Sequence, residues 1–210
     1  MGVNTIGKCI INDKIVRDAA EKEIVRRYYK ALVDSKRNGD EEIPKRIKLL
    51  MNELSIDDSV LNVISFAKEE EKKKKRKCIA LELQDGTIIT GKQTKLLTPA
   101  ASLILNCIKY LTDIPDEIDL LAPNVLKPIL KLKKDTLVSP TLNLNDVLIA
   151  LSICSVTNPT IKKALDKLKK LNNCDAFSTY IINKADYDCM RNLIINLICE
   201  PKFDYEIEKK

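Results

Sequence analysis

The stretch that leaves this chain least freedom is Cys78 to Thr90. Two short apolar runs, Cys78-Ile79-Ala80-Leu81-Glu82-Leu83 and Thr87-Ile88-Ile89-Thr90, flank Gln84-Asp85-Gly86. A short Asp-Gly connection between β-branched, apolar runs specifies a β-hairpin. The segments C-terminal to this hairpin must pack on it. Thr98 caps a helix with Pro99 at its first position, and Leu103, Ile104, Cys107, Ile108 and Leu111 form its core face. Ile118 to Leu121 reads as a short strand and Pro123 to Lys133 as a helix weakened by Pro128. Asn143 or Asn145 starts a largely buried helix through Val147, Leu148, Leu151 and Cys154. Asn158-Pro159 stops it and starts the next, with Ile161, Ala164, Leu165, Leu168 and Leu171 on one face. Phe177 to Ile182 and Leu193 to Cys199 read as strands around a short helix at Asp186 to Asn192. A hairpin succeeded by mixed helices and strands predicts a layered, mixed-sheet α/β domain over 78–210.

The preceding block reads as helical. Asn12 or Asp13 caps a helix whose apolar pairs recur as Ile15/Val16, Ala19/Ala20, Ile24/Val25, Tyr28/Tyr29 and Leu32/Val33, up to Asn38-Gly39. Ile43, Ile47, Leu50, Met51 and Leu54 mark a second helix, and Asp57 to Lys68 a third. The run Lys72-Lys73-Lys74-Lys75-Arg76-Lys77, after Glu69-Glu70-Glu71, marks a boundary. The predicted class is therefore α+β to α/β, with a helical subdomain over 1–77. With 210 residues, 45% apolar and 31% charged, the chain has material for one large domain or two small ones.

Composition removes several function classes. The longest uncharged stretch, Val147 to Ile161, has 15 residues and contains Ser, Thr, Asn and Pro, short of the roughly 20 apolar residues of a membrane span. Lys8, Asp13 and Lys14 interrupt any apolar signal core, so a cytoplasmic location is expected. The chain has no His, which removes the commonest general base and metal ligand. Seven cysteines lie ten or more residues apart, a spacing that fits neither a zinc site nor a disulfide framework. Free, buried thiols are expected, with no metal and no cofactor.

The candidate site residues are few. Thr90-Gly91-Lys92 ends the second hairpin strand, and Lys92, the Gly91 backbone and the helix N-terminus at Thr98 can converge on an anion. The spacing is not that of a phosphate-binding loop, and a plain turn explains it too. Thr157-Asn158 offers a second polar helix junction, or only a cap. Glu82 is either a solvated or a buried acid. Arg26-Arg27-Tyr28-Tyr29 suits an acidic partner, a phosphorylated ligand or the edge of an amphipathic helix. The net charge of +6 sits largely in Lys72–Lys77, but no aromatic residue interleaves there to stack on bases, so nucleic acid is not an expected partner.

The order of elements resembles the cytidine-deaminase-like fold. That enzyme class needs H-x-E or C-x-E plus P-C-x-x-C around zinc. The corresponding places here read Thr98-Pro99-Ala100 and Thr157-Asn158-Pro159, so the topology is expected without its zinc site. Several separated blocks resemble, in the same order, the bacterial domain-of-unknown-function family 1846, also catalogued as uncharacterised protein family 0371. They are Met1-Gly2-Val3-Asn4, Ile11-Asn12-Asp13 with Glu23 to Tyr29, Ala80 to Lys92, Leu148 to Ile153, Thr157-Asn158-Pro159, and Ile195-Asn196-Leu197 with Glu200-Pro201. The resemblance implies a C-terminal portion of a longer architecture whose N-terminal half carries a Gly-rich, nucleotide-binding-like loop. It supplies no reaction to carry over.

Three functions are expected in descending order. The first is an accessory or assembly module that packs on a nucleotide-binding half. The second is a small-molecule enzyme with a phosphorylated or nucleotide-like ligand between Thr90-Gly91-Lys92 and Thr157-Asn158. The third is a nucleic-acid binder through Lys72–Lys77. The first helix, with Arg26, Arg27, Tyr28 and Tyr29, is the expected surface for self-association or for a separately encoded N-terminal half.

Overall fold

A computed structural model describes residues 12–136 and 141–204. The segment Met1-Gly2-Val3-Asn4, Ile11 and Cys9 lie outside them. The described chain has eight α-helices and one four-stranded mixed sheet, an α+β class, in two compact units, Met1–Asn62 and Val63–Lys210. No helix among the described residues is long and apolar enough to cross a membrane.

In the first unit, α1 (Asp13–Asn38) is capped by Asn12, whose side chain accepts from the N–H groups of Lys14 and Ile15. It ends at Gly39, whose left-handed φ of 79° lets its N–H reach the Ser35 carbonyl at 2.7 Å. Here α2 (Glu42–Glu53) packs back on α1, and Val25, Tyr29, Met51, Ile56 and Leu61 are buried.

The third expected helix divides. A 3₁₀ turn at Asp58–Val60, capped by Asp57, precedes α3 (Asn62–Lys74). Apart from its first residue, α3 groups with the second unit, and Lys72, Lys73 and Lys74 form its last turn. The first half of the charge run thus ends a helix, and Lys75, Arg76 and Lys77 lead from it into the first strand. Acidic residues one turn earlier support this, since Lys73 lies 3.4 Å from Glu69 and 3.9 Å from Glu70.

The hairpin forms as its sequence requires. Strand β1 (Cys78–Glu82) pairs antiparallel with β2 (Ile88–Lys92), with Leu81 opposite Ile89 and Ile79 opposite Gly91. Gly86 takes φ of 83° in the turn. The sheet order is β2-β1-β3-β4; β3 (Asp175–Ser178) is antiparallel to β1, and β4 (Asn196–Cys199) is parallel to β3. Alternation sends Ile79, Leu81, Ile89 and Gly91 to one face, against α4 (Pro99–Leu111). The other face, with Phe177 and Lys92, meets α3: the Lys68 ammonium sits 5.5 Å from the Phe177 ring centroid, and Lys92 lies 3.8 Å from Glu70. Behind α4 lie α6 (Leu144–Ser155), α7 (Pro159–Asp166) and α8 (Lys184–Asn192), while α5 (Pro123–Thr136) rests on α6.

Three boundaries differ from the sequence-based expectation. Ile118–Leu121 is a turn, not a strand; Leu120 and Leu121 are buried, but Asp116, Glu117 and Asp119 leave no regular alternation to pair. Strand β3 ends at Ser178 and not at Ile182, because the Ser178 hydroxyl donates to the Tyr180 carbonyl at 2.7 Å and turns the chain. Strand β4 starts at Asn196, since Leu193 still caps α8 and Ile194 takes φ of 57°.

Candidate functional site

Thr90 lies on β2, and its carbonyl accepts from Asn106 Nδ2 at 2.8 Å. Gly91 is present for a packing reason. A Cβ there would meet Leu103 N and Pro99 O at 2.3 Å and Leu103 Cα at 2.5 Å. The backbone of α4 crosses β2 at a distance only glycine admits. Lys92 is half-exposed and pairs with Glu70. Thr98 is buried; its hydroxyl accepts from Ala101 N–H at 3.4 Å, and its own N–H donates to Leu142 O at 3.0 Å. Thr157 and Asn158 are exposed at the start of α7, where Asn158 Oδ1 accepts from Thr160 N–H at 3.0 Å. Glu82 is half-buried and stands directly opposite Asp175 on β3.

The first unit distributes its interface candidates differently. Arg26 and Arg27 both hold Glu23, at 3.3 and 2.9 Å. Burial of Glu23 works against its charge, but the bonds from Arg27 and then Arg26 outweigh it and hold the carboxyl below its ordinary range. Arg27 also borders a groove of about 400 Å³ between α1 and α2. Tyr29 is buried, 3% exposed, whereas Tyr28 keeps part of its ring at the surface, under Lys48 at 5.4 Å from its centroid.

Of the candidate ligand residues, Thr90 opens on a groove. This cleft of about 820 Å³ runs between β2 and the C-terminal part of α4 and is lined in part by Thr87, Ile88, Asn106, Lys109, Tyr110 and Asp116. Tyr110 OH lies 3.1 Å from Thr87 Oγ1, and Lys109 Nζ donates to the Asp116 carbonyl at 2.8 Å. Sequence reasoning misses these α4 residues. Their signal is the polar series Asn106, Lys109, Tyr110 at helical spacing, opposite the core face of the same helix.

Six cysteines are described, all free and buried. Burial pushes the Cys78 and Cys107 thiols up to about 12 and that of Cys189 up to about 11, so they are protonated and poorly nucleophilic near neutrality. Among the described residues no group of three or more His, Cys, Asp or Glu could hold a metal ion.

The fold is thus a helical unit and a mixed-sheet α+β unit with an open cleft beside the sheet's edge strand. The chain belongs to the DUF1846 family. The model described as "Domain of unknown function DUF1846, C-terminal" matches residues 59–207, and that described as "Domain of unknown function DUF1846, N-terminal" matches residues 1–55. The expectation that only the family's C-terminal portion is present is therefore corrected, because the N-terminal model covers the first 55 residues. The chain is 40% identical to a UPF0371 protein of Clostridium tetani and 41% identical to one of Clostridioides difficile, each over 97% or more of this chain and 43% of the relative. A UPF0371 protein of Corynebacterium urealyticum is 42% identical over 97% of this chain and 41% of its own length. The chain spans less than half the length of these bacterial relatives.

Proposed function

We propose that this chain is an accessory module of the DUF1846 architecture that packs on a nucleotide-binding portion of it. The carrying observation is that the residues suggested for a ligand site are occupied in holding the fold: Gly91 by the α4 backbone, Lys92 by Glu70, and Thr98 and Asn158 as helix caps. The N-terminal helical unit, with Arg27 and the exposed part of Tyr28, supplies the packing surface in this reading; arginine and tyrosine are enriched at interfaces. The test is to mix the chain with the portion of the Clostridium tetani relative that lies outside the matched region. Sedimentation should show a one-to-one complex that Arg27→Ala with Tyr28→Ala weakens. Two species sedimenting independently at high concentration would overturn the reading.

A second reading, an enzyme for a phosphorylated or nucleotide-like ligand at the strand and helix ends, is favoured by one atom. Ser102 Oγ, one turn into α4 from Thr98, is buried without a hydrogen-bond partner. Titration with pyrophosphate, monitored at the amide resonances of Thr98 and of Ala100 to Ser102, separates the two readings. Saturable shifts lost in Lys92→Ala would support the site.

A further inference from the structure

The outer edge of β2 is an unfilled place in the sheet. Leu83 N–H donates to Thr87 O at 2.8 Å, and Gln93 N–H to Lys77 O at 3.0 Å. This phase turns the backbone groups of Thr87, Ile89, Gly91 and Gln93 toward β1. Ile88, Thr90 and Lys92 therefore turn theirs away, and β2 is the last strand on that side of the sheet. One outward group is taken, the Thr90 carbonyl, by Asn106. Among the described residues, no backbone or side-chain partner reaches the amides of Ile88, Thr90 and Lys92 or the carbonyls of Ile88 and Lys92. Natural edge strands are usually blunted by charge, proline or a bulge. Here the residues Thr87-Ile88-Ile89-Thr90 carry none of these, and Lys92 stands only at the end.

The space beyond this edge is the open cleft of about 820 Å³, which runs along residues 87–90. Strand β2 itself, five residues long, spans about 17 Å. The walls of the cleft are not neutral. Asp113 and Asp116 line it with exposed side chains, while the lysine among them, Lys109, is tied to the Asp116 carbonyl. Asp85 adds a further carboxylate at the Tyr110 hydroxyl, 3.5 Å away.

The geometry points to a docking site on the β2 edge for an extended segment of a partner protein that carries basic side chains. Its backbone adds a fifth strand through the outward N–H groups of Ile88, Thr90 and Lys92 and the carbonyls of Ile88 and Lys92, and its lysines or arginines face Asp113 and Asp116. Backbone pairing supplies the affinity, and alternate side chains in the cleft supply the selectivity. A second copy of this chain fits less well. Its cleft carries the same acidic walls, so pairing two β2 edges sets Asp113 and Asp116 of each copy near those of the other instead of near basic side chains. This site lies in the second unit, so it is independent of the packing surface proposed on α1.

The probe is a short acetylated peptide that alternates Lys and Val, tested against the same peptide with Glu for Lys and against one N-methylated at alternate amides. Backbone exchange measured by NMR should slow by about tenfold at Ile88, Thr90 and Lys92 when the Lys peptide is bound, with Ile89 and Gly91 unchanged. The Glu peptide should not bind, and Asp113→Asn with Asp116→Asn should abolish the preference. Ile88→Pro removes an outward N–H that no strand now accepts and should weaken binding about tenfold, since proline is tolerated on an edge. Should that variant fail to fold, loss of binding by the N-methylated peptide is the equivalent result in the unaltered protein. Equal binding of Lys and Glu peptides, or unchanged exchange at the three amides, would overturn the proposal. So would a dimer whose Ile88 and Thr90 amides are protected without peptide, which would assign the edge to a second copy.

Discussion

The hydroxyl of Tyr29, in the middle of α1, donates to a carboxylate oxygen of Asp58 at 2.7 Å. The two residues are 29 apart in sequence and belong to one compact unit. This bond fastens the 3₁₀ turn beyond α2 onto α1. It also explains how a tyrosine fills a position that is 3% exposed: a buried phenol needs an acceptor, and Asp58 supplies it.

Tyr29→Phe keeps the ring and removes this bond. Unfolding in urea should show a loss of about 1.5–3 kcal/mol, the range for a hydrogen bond to a charged group. Tyr28→Phe, whose ring is partly exposed, should change stability by less than about 0.5 kcal/mol. Equal effects of the two substitutions would contradict the assignment of Tyr29 to the core.

Gly91→Ala should be among the most damaging single-carbon additions in the second unit. The added carbon meets backbone atoms of Leu103 and Pro99, and no side-chain movement relieves a clash with backbone. A loss of about 3 kcal/mol or more is expected in denaturant unfolding. Its neighbour Thr90→Ala serves as the control, because the bond from Asn106 goes to the Thr90 carbonyl and survives the change.

The basic run should separate into two behaviours. Lys72, Lys74 and Lys75 are exposed, and their replacement by Gln should each alter stability by less than about 0.5 kcal/mol. Lys77, in contrast, is 8% exposed, pairs with Asp204 and lies 5.9 Å from the Tyr180 ring centroid. Lys77→Gln should cost about 1–3 kcal/mol, because Asp204 and the buried ring lose their cation. Thermal melts of the single variants check this, and a uniform response along the run would refute it.

Alkaline pH should destabilise the second unit through its thiols. Burial raises the folded-state pKa of Cys78 and Cys107 from 9.0 to about 12 and that of Cys189 to about 11. A raised pKa contributes stability that is complete below the unfolded value of 9.0 and disappears as pH climbs toward the folded values. Denaturation midpoints should therefore be flat from pH 7 to about 8.5 and fall between about 9 and 12. Iodoacetamide should modify these three cysteines slowly in native protein and readily in urea; fast native labelling would show that they are not buried.

Asp146→Ala should remove two supports together. Its carboxylate accepts from the Asn143 N–H at 2.9 Å in a capping box at the start of α6, and it pairs with Lys133 of α5, which is 7% exposed. Deleting one partner of a buried pair costs about 3–5 kcal/mol, and a double variant with Lys133→Met should recover part of the loss. Additive losses in the double variant would show that the pair is not coupled.

Local chemistry makes much of this architecture legible in the sequence. Asp85-Gly86 specifies the hairpin because a tight two-strand turn needs a residue at ease with positive φ, and Asn12, Gly39, Thr98-Pro99, Asn143 and Asn158-Pro159 mark helix ends because they meet the backbone groups that a helix leaves unpaired. These signals act within a few residues, so sequence alone carries them. The roles of Gly91, Lys77, Tyr29 and Asn106 are not legible there, because each depends on an element distant in the chain: the α4 backbone, Asp204, Asp58 and the edge carbonyl of Thr90. The same holds for strand limits. Residues 179–182 are apolar enough to prolong β3, yet the bond from the Ser178 hydroxyl to the Tyr180 carbonyl turns the chain off the sheet, and residues 118–121 lack the alternation a strand face needs. Sequence determined the helices, their caps and the hairpin, because those signals are local; tertiary structure decided the strand limits and which polar groups were spent on the fold, because both depend on a neighbour distant in the chain.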